Sequence, residues 1–262
     1  MSSLVLASYF SDQVVKKEPH YHDCHQIILI LKGEAEIRVR DQYYCAKAGS
    51  VILFSRYEDH SIESAGYERY ILQIEPSAEH RNNRIYSLLS NRPRGFCNLI
   101  DVADHLPEFH RLLVRITEEF SSNCTMSEAM LELLVEELLI LLYRRLPNPL
   151  ALLEQEQAEM ILDLQHRFAE RYDTPYTLEA LAKEYNVSPS SLSHRFKEVT
   201  GMSVMEYLLS CRLAAAKNLL IETDLPIGEI VEQCGFSDSS NFSRTFKART
   251  GLSPSAFRNL YK

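Results

Sequence analysis

Three kinds of periodicity follow one another along the chain. Over residues 3–76 the apolar positions recur as short strands. Gln26-Ile-Ile-Leu-Ile-Leu31 is an apolar run closed by Lys32-Gly33, a turn signal, and Glu34-Ala-Glu-Ile-Arg-Val-Arg40 then alternates polar and apolar with a period of two. Val51-Ile-Leu-Phe54 and Arg69-Tyr-Ile-Leu-Gln-Ile74 are further strands, with Lys47-Ala-Gly49 turning between them and the earlier ones. Short strands broken by turns predict a sandwich or small barrel. A barrel is favoured, because closure removes exposed strand edges.

Residues 105–146 change to helical spacing and predict two helices. Pro107 suits a first turn, and Phe109, Leu112, Leu113, Ile116 and Phe120 recur on one face. Ser127 opens a second helix carrying Met130, Leu131, Leu133, Leu134, Val135, Leu138, Leu139, Leu141 and Leu142, which is more than one stripe. A helix apolar on two faces must bury both. One face fits the β domain. The other fits either the neighbouring helix or a second subunit. Pro147-Asn-Pro149 ends this zone and makes a linker.

From about residue 154 the pattern is helical and contains an internal repeat. Thr177-Leu-Glu-Ala-Leu-Ala-Lys-Glu-Tyr-Asn-Val-Ser188 aligns with Pro226-Ile-Gly-Glu-Ile-Val-Glu-Gln-Cys-Gly-Phe-Ser237. Leu192-Ser-His-Arg-Phe-Lys197 aligns with Phe242-Ser-Arg-Thr-Phe-Lys247, Thr200-Gly-Met-Ser203 with Thr250-Gly-Leu-Ser253, and Tyr207 with Phe257. Each copy reads as a helix-turn-helix. A short helix turns two adjacent apolar residues inward, Leu181-Ala182 or Ile230-Val231. A tight turn follows at Asn186 or Gly235, residue types that tolerate positive φ, and then an apolar plug, Val187 or Phe236. Ser188 and Ser237 are expected at the N-caps of the second helices, with Pro189 at the first position of one. Leu192 and Phe196, or Phe242 and Phe246, bury one face of that helix. The opposite face carries small polar and basic residues, which suits entry into a DNA major groove.

A generic helical bundle is the plain alternative for a single copy. Two copies with matching core, cap and Phe-Lys-x-x-Thr-Gly endings argue against it. Between them Val204 to Ile221 forms a continuous helical pattern of about 18 residues, roughly 27 Å long. With the helix radii added, such a rod can set two helices into successive major grooves, about 34 Å apart.

The charge pattern fits this division. The net charge is −8, yet residues 171–262 hold 11 Lys+Arg and 10 Asp+Glu, a net of +1, which leaves −9 for residues 1–170. Residues 239–262 contain Arg244, Lys247, Arg249, Arg258 and Lys262 and no acid. That is either a nucleic-acid footprint or a solvated basic face. With 45% hydrophobic residues, disorder is excluded as the main state. No apolar run approaches the ~20 residues that cross a bilayer. The richest, residues 131–142, is broken by Glu132, Glu136 and Glu137. The first ten residues lack the basic-then-apolar order of a signal peptide and read as mature cytoplasmic sequence. Six scattered cysteines without a C-x-x-C pair read as free, mostly buried thiols.

Ser-Asn-Phe-Ser-Arg-Thr-Phe-Lys-Ala-Arg-Thr-Gly-Leu-Ser-Pro, residues 240–254, resembles the signature of the AraC/XylS family of bacterial transcription regulators. Residues 187–197 resemble that family's first helix-turn-helix. The resemblance covers about the last 100 residues closely and the N-terminal zone loosely. It implies two recognition helices, often on a dimeric protein with a cupin-like effector domain. Carried over residue by residue, it implies base reading by Ser190, Ser193 and His194 in the first copy, and by Ser239, Ser240, Asn241 and Arg244 in the second. Arg244 can pair bidentately with guanine and Asn241 can read adenine. Lys197, Lys247 and Arg249 are expected on phosphates, which position the protein without specifying sequence. His194 stands where an Arg is common, and three serines surround it.

The N-terminal zone resembles a cupin through His20-x-His22-x-x-x-Gln26-x-x-x-x-x-x-Gly33, followed by Gly49 and His60. In metal-binding cupins two close His, a Glu and a later His converge on one metal, and imidazole with carboxylate suits Fe, Mn, Ni or Zn. Here Gln26 occupies the Glu position, and an amide is the poorer ligand. His25 is an extra candidate with the opposite strand parity. The resemblance leaves three readings open. His20, His22 and His60 hold a divalent metal, or His20, His22, Gln26, His60 and Tyr43 line a polar effector pocket, or these are simply hydrogen-bonded barrel residues. Tyr9, Tyr57 and Tyr70 are further pocket candidates, although aromatics in strands more often belong to the core.

The expected fold class is α+β in two domains: an N-terminal cupin-like β-barrel with a following helix pair, and a C-terminal all-α double helix-turn-helix domain. The expected boundaries are a sensor over residues 1–104, a helical dimerisation element over 105–146, a linker over 147–153 and a DNA-binding domain over 154–262. The expected function is sequence-specific, effector-controlled transcription regulation. The expected partners are double-stranded DNA, a small molecule, a second copy of the chain and RNA polymerase, with no membrane. The alternative is a metal-dependent cupin enzyme, such as an oxygenase or isomerase, with an appended helical domain. Gln26 and the lack of paired carboxylates or a nucleophile–base pair weaken it.

Overall fold

A computed structural model describes residues 4–39, 42–75, 86–90, 97–122, 124–146 and 155–261; the expected linker lies outside them. The chain forms two compact units, residues 1–162 with 198–201 and residues 163–197 with 202–262. Among the described residues no helix is long and apolar enough to cross a membrane.

The first unit is built on one antiparallel sheet. Its strands are β1 (Leu4–His20), β2 (His25–Val39), β3 (Gln42–Lys47), β4 (Ser50–Phe54), β5 (His60–Ile74) and β6 (Leu99–Asp101), ordered β1-β5-β2-β4-β6 with β3 beside β2. A short helix, α1 (Ser87–Ser90), precedes β6. Strands β1, β3 and β6 go beyond those the pattern predicts. Lys32-Gly33 is not the turn expected there. Instead β2 runs through it as a bulge: its register against β5 slips between Ile30 and Lys32 and between Gly33 and Glu36. Gly33 has φ +76°. An extra residue in one strand bends it, so two predicted strands become one bent strand. On one side this strand pairs with β4 through residues 26–29 and with β3 through residues 34–39.

The bend is large. Gln26 pairs with Phe54, and Val39 pairs with His60. Thirteen residues of straight strand would hold those partners roughly 43 Å apart, yet the Phe54 and His60 rings stack with centroids separated by 3.9 Å. The sheet therefore rolls around an interior. Ile28, Ile30, Ile37, Ile52, Phe54 and Ile71 fill one face of it. Ile27, Leu29, Val51, Leu53 and Leu72 fill the other, together with residues of the two following helices. With both faces covered, β2 begins as a continuous apolar run rather than an alternating one.

Those helices are α2 (Leu106–Phe120) and α3 (Ser127–Tyr143). Phe109, Leu112, Leu113 and Ile116 are the buried face of α2. Leu131, Leu134, Val135, Leu138, Leu139 and Leu142 are the buried face of α3. The second apolar face of α3 is not covered by its neighbour: Met130 is 42% exposed, Leu133 64% and Ile140 36%.

The chain continues as α4 (Gln155–Glu170), α5 (Leu178–Glu184), α6 (Pro189–Thr200), α7 (Val204–Glu222), α8 (Ile227–Gln233), α9 (Ser239–Thr250) and α10 (Pro254–Tyr261). The connecting rod expected from the pattern is α7, with 19 residues and an N-terminal capping box between Ser203 and Glu206.

Candidate nucleic-acid interface and sensor site

The two helix-turn-helix copies are α5–α6 and α8–α9. Leu181, Ala182, Ile230 and Val231 are buried as the pattern requires, and so are Leu192, Phe196, Phe242 and Phe246. Asn186 and Gly235 turn with φ +53° and +72°. The repeat extends to packing geometry. Phe196 meets Tyr207 edge-to-face at 5.4 Å, and Phe246 meets Phe257 edge-to-face at 5.3 Å. Equivalent side chains thus fix the core side of α6 and α9, and the opposite sides are held outward.

The caps of the two helices differ. Ser188 caps α6 as expected, its Oγ accepting the N–H of Ser191 at 3.1 Å. Ser237 does not cap α9. Asp238 does, accepting the N–H groups of Ser240 and Asn241 at 3.0 and 2.8 Å. The reason lies in the repeat itself. Ser188 and Ser237 are 49 positions apart, whereas Leu192 and Phe242 are 50 apart. The additional residue is absorbed before α9, and a carboxylate that satisfies two orphan donors takes the cap. Those two bonds hold the Asp238 carboxyl below the usual aspartate range.

Ser239, Ser240, Asn241 and Arg244 are all exposed, as are Ser190 and His194. Ser193 is half-buried on the flank of α6. Lys197, Lys247 and Arg249 are exposed near the C-terminal ends of α6 and α9. Glu206 is held below the usual glutamate range, first by its bonds to Ser203 and further by the charges of Arg249 and Lys197. Residues 240, 241, 244 and 247 share one face of α9, opposite Phe242 and Phe246. On α6 the corresponding face carries Glu198 where α9 has Ala248, so its potential is less positive. Arg258, part of the acid-free tail, donates inward to the carbonyls of Leu220 and Leu225.

In the first unit His20, His22 and His60 converge. His20 and His60 are cross-strand partners on β1 and β5, and His22 follows β1, its carbonyl accepting the N–H of Tyr57 at 2.8 Å. Their ligand nitrogens lie within 4.8 Å of one another. The centre of such a triangle is at most about 2.8 Å from each nitrogen, so an inward shift of about 0.7 Å per ring reaches metal–imidazole distance. His60 Nδ1 lies 2.9 Å from the carbonyl oxygen of Glu58. A carbonyl only accepts, so in the neutral ring Nδ1 carries the proton and Nε2 holds the lone pair. The donor set therefore fits a divalent transition ion.

Gln26 is buried on the strand position opposite Phe54, which stacks on His60. His25 stands apart, accepting the N–H of Arg56 through Nδ1 at 3.2 Å. Tyr43 is 79% exposed on β3 and does not join the histidines. Tyr57 is buried, and Tyr70 packs in the core shared with α2 and α3. Tyr9 is exposed and donates to Glu68 at 3.0 Å. An open cleft of about 800 Å³ lies over Gly33–Glu36, Cys45 and Glu63–Gly66, away from the histidines. Sequence reasoning missed Asp238 and the stacked Phe54; the one-residue slip of the repeat is a signal for the first.

Two family models match the chain. The AraC-like ligand binding domain matches residues 4–139, and a helix-turn-helix domain matches residues 181–260. The HTH-type transcriptional activator RhaR of Pectobacterium atrosepticum is 29% identical over 255 residues, covering 92% of this chain and 86% of the relative. RhaR of Pectobacterium carotovorum subsp. carotovorum is 30% identical over 258 residues, with the same coverage. Among solved structures, wild-type ToxT of Vibrio cholerae with a bound unsaturated fatty acid superposes with TM-score 0.63 at 16% identity, over 100% of this chain and 97% of its own. At that identity the match shows the fold.

Proposed function

This chain belongs to the AraC family of transcription regulators, and we propose on that footing that it reads two successive major grooves with α6 and α9 under control of an effector held in its rolled sheet. The observation that carries the reading is the duplicated core geometry, which holds two polar helix faces outward at either end of α7. On α9, Arg244 and Asn241 read base edges with Ser239 and Ser240 beside them; on α6, Ser190, Ser193 and His194 do so. Lys197, Lys247 and Arg249 anchor phosphates.

The effector site centres on His20, His22, Gln26 and His60. ToxT, of the same fold, binds an unsaturated fatty acid, which supports a small organic effector here. Binding shifts the chain between states that differ in DNA affinity, by the difference in effector affinity of those states. A homodimer forms through α3, whose apolar outer face is described above, and RNA polymerase is a further partner on DNA. Residence in the cytoplasm is part of the same reading.

The test starts from a pool of random duplexes enriched by the full-length chain. Three phosphate anchors per chain predict a log–log salt slope of about −3 per chain. No enrichment, or a flat slope, overturns the reading.

A second reading is favoured by the convergence of the three histidines. They would hold a divalent metal, which supplies a Lewis acid or an open coordination position when bound. Titration of the purified chain with Zn2+ or Co2+ decides: stoichiometric uptake lost in His60→Ala supports the metal, and no uptake removes it. Turnover by a loaded Fe, Mn or Ni form would restore the enzyme alternative.

A further inference from the structure

Arg212 stands near the middle of α7 and joins the two helix-turn-helix copies. Its Nε donates to the carbonyl of Tyr172 at 2.8 Å, and its Nη2 donates to the carbonyl of Thr174 at 2.9 Å. Both carbonyls belong to the loop from α4 to α5, the entrance to the first copy. On its other side the guanidinium carbon lies 6.0 Å from the centre of the Phe236 ring, the apolar plug of the second copy. Asp173, between the two bonded carbonyls, lies against the turn of the second copy. A Cβ added at Gly235 would come within 2.6 Å of the Asp173 carbonyl oxygen and 2.8 Å of its Cα.

A helix joined at its ends alone leaves its two passengers free to swing as it bends. Here a third connection closes the triangle: residues 172–174 are held between a cation at mid-rod and a glycine turn with no room to yield. Two N–H bonds from one planar guanidinium fix direction as well as distance, which a single ammonium cannot do. We propose that Arg212 is a positioning residue that fixes the angle between α6 and α9, and so the spacing of the two DNA segments read. The spacing part of this inference rests on the DNA-binding reading above; the angle part does not.

The matter is decided in the full chain carrying Cys45→Ser, Cys97→Ser and Cys124→Ser, with nitroxide labels on cysteines introduced by Ser190→Cys and Ser240→Cys. Pulsed electron spin resonance without DNA reports the distance between α6 and α9. A narrow distribution that widens in Arg212→Ala, with Arg212→Lys between them, supports the latch. An unchanged distribution in Arg212→Ala overturns it. One base pair inserted between the two contacted segments of the enriched duplex shifts the second groove by about 3.4 Å and about 35°. It should weaken the unsubstituted chain about tenfold or more, and Arg212→Ala by a clearly smaller factor. Equal weakening at every spacing is what a merely structural arginine gives, and it overturns the spacing role. If no duplex is enriched, the DNA reading fails, while the distance distributions still decide the latch. Should Arg212→Ala lose helicity, Gly235→Ala presses on Asp173 from the opposite side and takes the same measurements, with the same outcome overturning the idea.

Discussion

The Asp238 carboxylate receives the backbone N–H of Asn241 at 2.8 Å, so a side chain just before α9 fixes the start of the helix that carries the proposed base reader Asn241. The bond to Ser240 and the bond to Asn241 both favour the charged form, and Arg244 adds to them. The folded pKa is therefore depressed. The cap's contribution is complete above the ordinary aspartate pKa, about 4, and is lost as pH falls through the lower folded value. Asp238→Ala should speed hydrogen exchange at the amides of Ser240 and Asn241 at neutral pH. The unsubstituted chain should show the same fraying only below about pH 4. Unaltered protection in the variant would remove the cap from the account.

Gly33 is the second test. Its φ of +76° and the Gly66 carbonyl oxygen 2.5 Å from a would-be Cβ leave no room for a side chain. The bulge there bends β2 and brings Phe54 onto His60. Gly33→Ala should destabilise the first unit by about 2–4 kcal/mol, combining backbone strain and overpacking. Thermal unfolding reads this directly, and a shift of less than a degree would mean that the bulge relaxes freely.

Gly33 also shows where the sequence misleads. A glycine after an apolar run signals a break, and the same residue serves a hairpin turn or a bulge equally well. Only pairing with distant β5 decides between them, and that pairing is invisible locally. Strands β1 and β3 lack a clean period because parts of them are exposed, so they too escape the pattern. The helix-turn-helix copies were legible because their constraints are local: adjacent inward residues, a positive-φ turn and a cap lie within about a dozen positions. The one failure among them, Ser237 as cap, arose where the repeat slips by a residue. For His20, His22 and His60 the residue types were legible and their convergence was not, since it depends on the roll of the whole sheet.

The outer face of α3 tests the proposed homodimer. Met130, Leu133, Glu137 and Ile140 recur at spacings of three and four, the seam of a paired helix. Glu137 is tied to Arg115 of α2 at 3.8 Å, so the charge within the seam has a partner on its own chain. Leu133→Glu should shift the chain from dimer to monomer in sedimentation at micromolar concentration, with the fold intact, because Leu133 contributes little to its own core. A monomeric unsubstituted chain would refute the seam.

On α9, two exposed cations test the proposed division between base reading and phosphate anchoring. Arg244 sits one turn beyond Ser240 and Asn241, on the side opposite the buried Phe242 and Phe246, where a guanidinium can meet a guanine edge. Lys247 lies one turn further, near the C-terminal end of α9, and is the proposed phosphate anchor. Arg244→Ala should cost about 1–3 kcal/mol on the preferred duplex and flatten the preference at one base position. Lys247→Ala should weaken every duplex alike and reduce the salt slope by about one. His194 occupies on α6 the place that Arg244 holds on α9, yet it lacks the bidentate fork. His194→Ala should therefore cost less than Arg244→Ala, and His194→Arg should sharpen the preference of the first contacted segment. Competition titrations across single-base variants of the enriched duplex measure all four effects. A larger loss from His194→Ala than from Arg244→Ala would transfer the main reading role to α6.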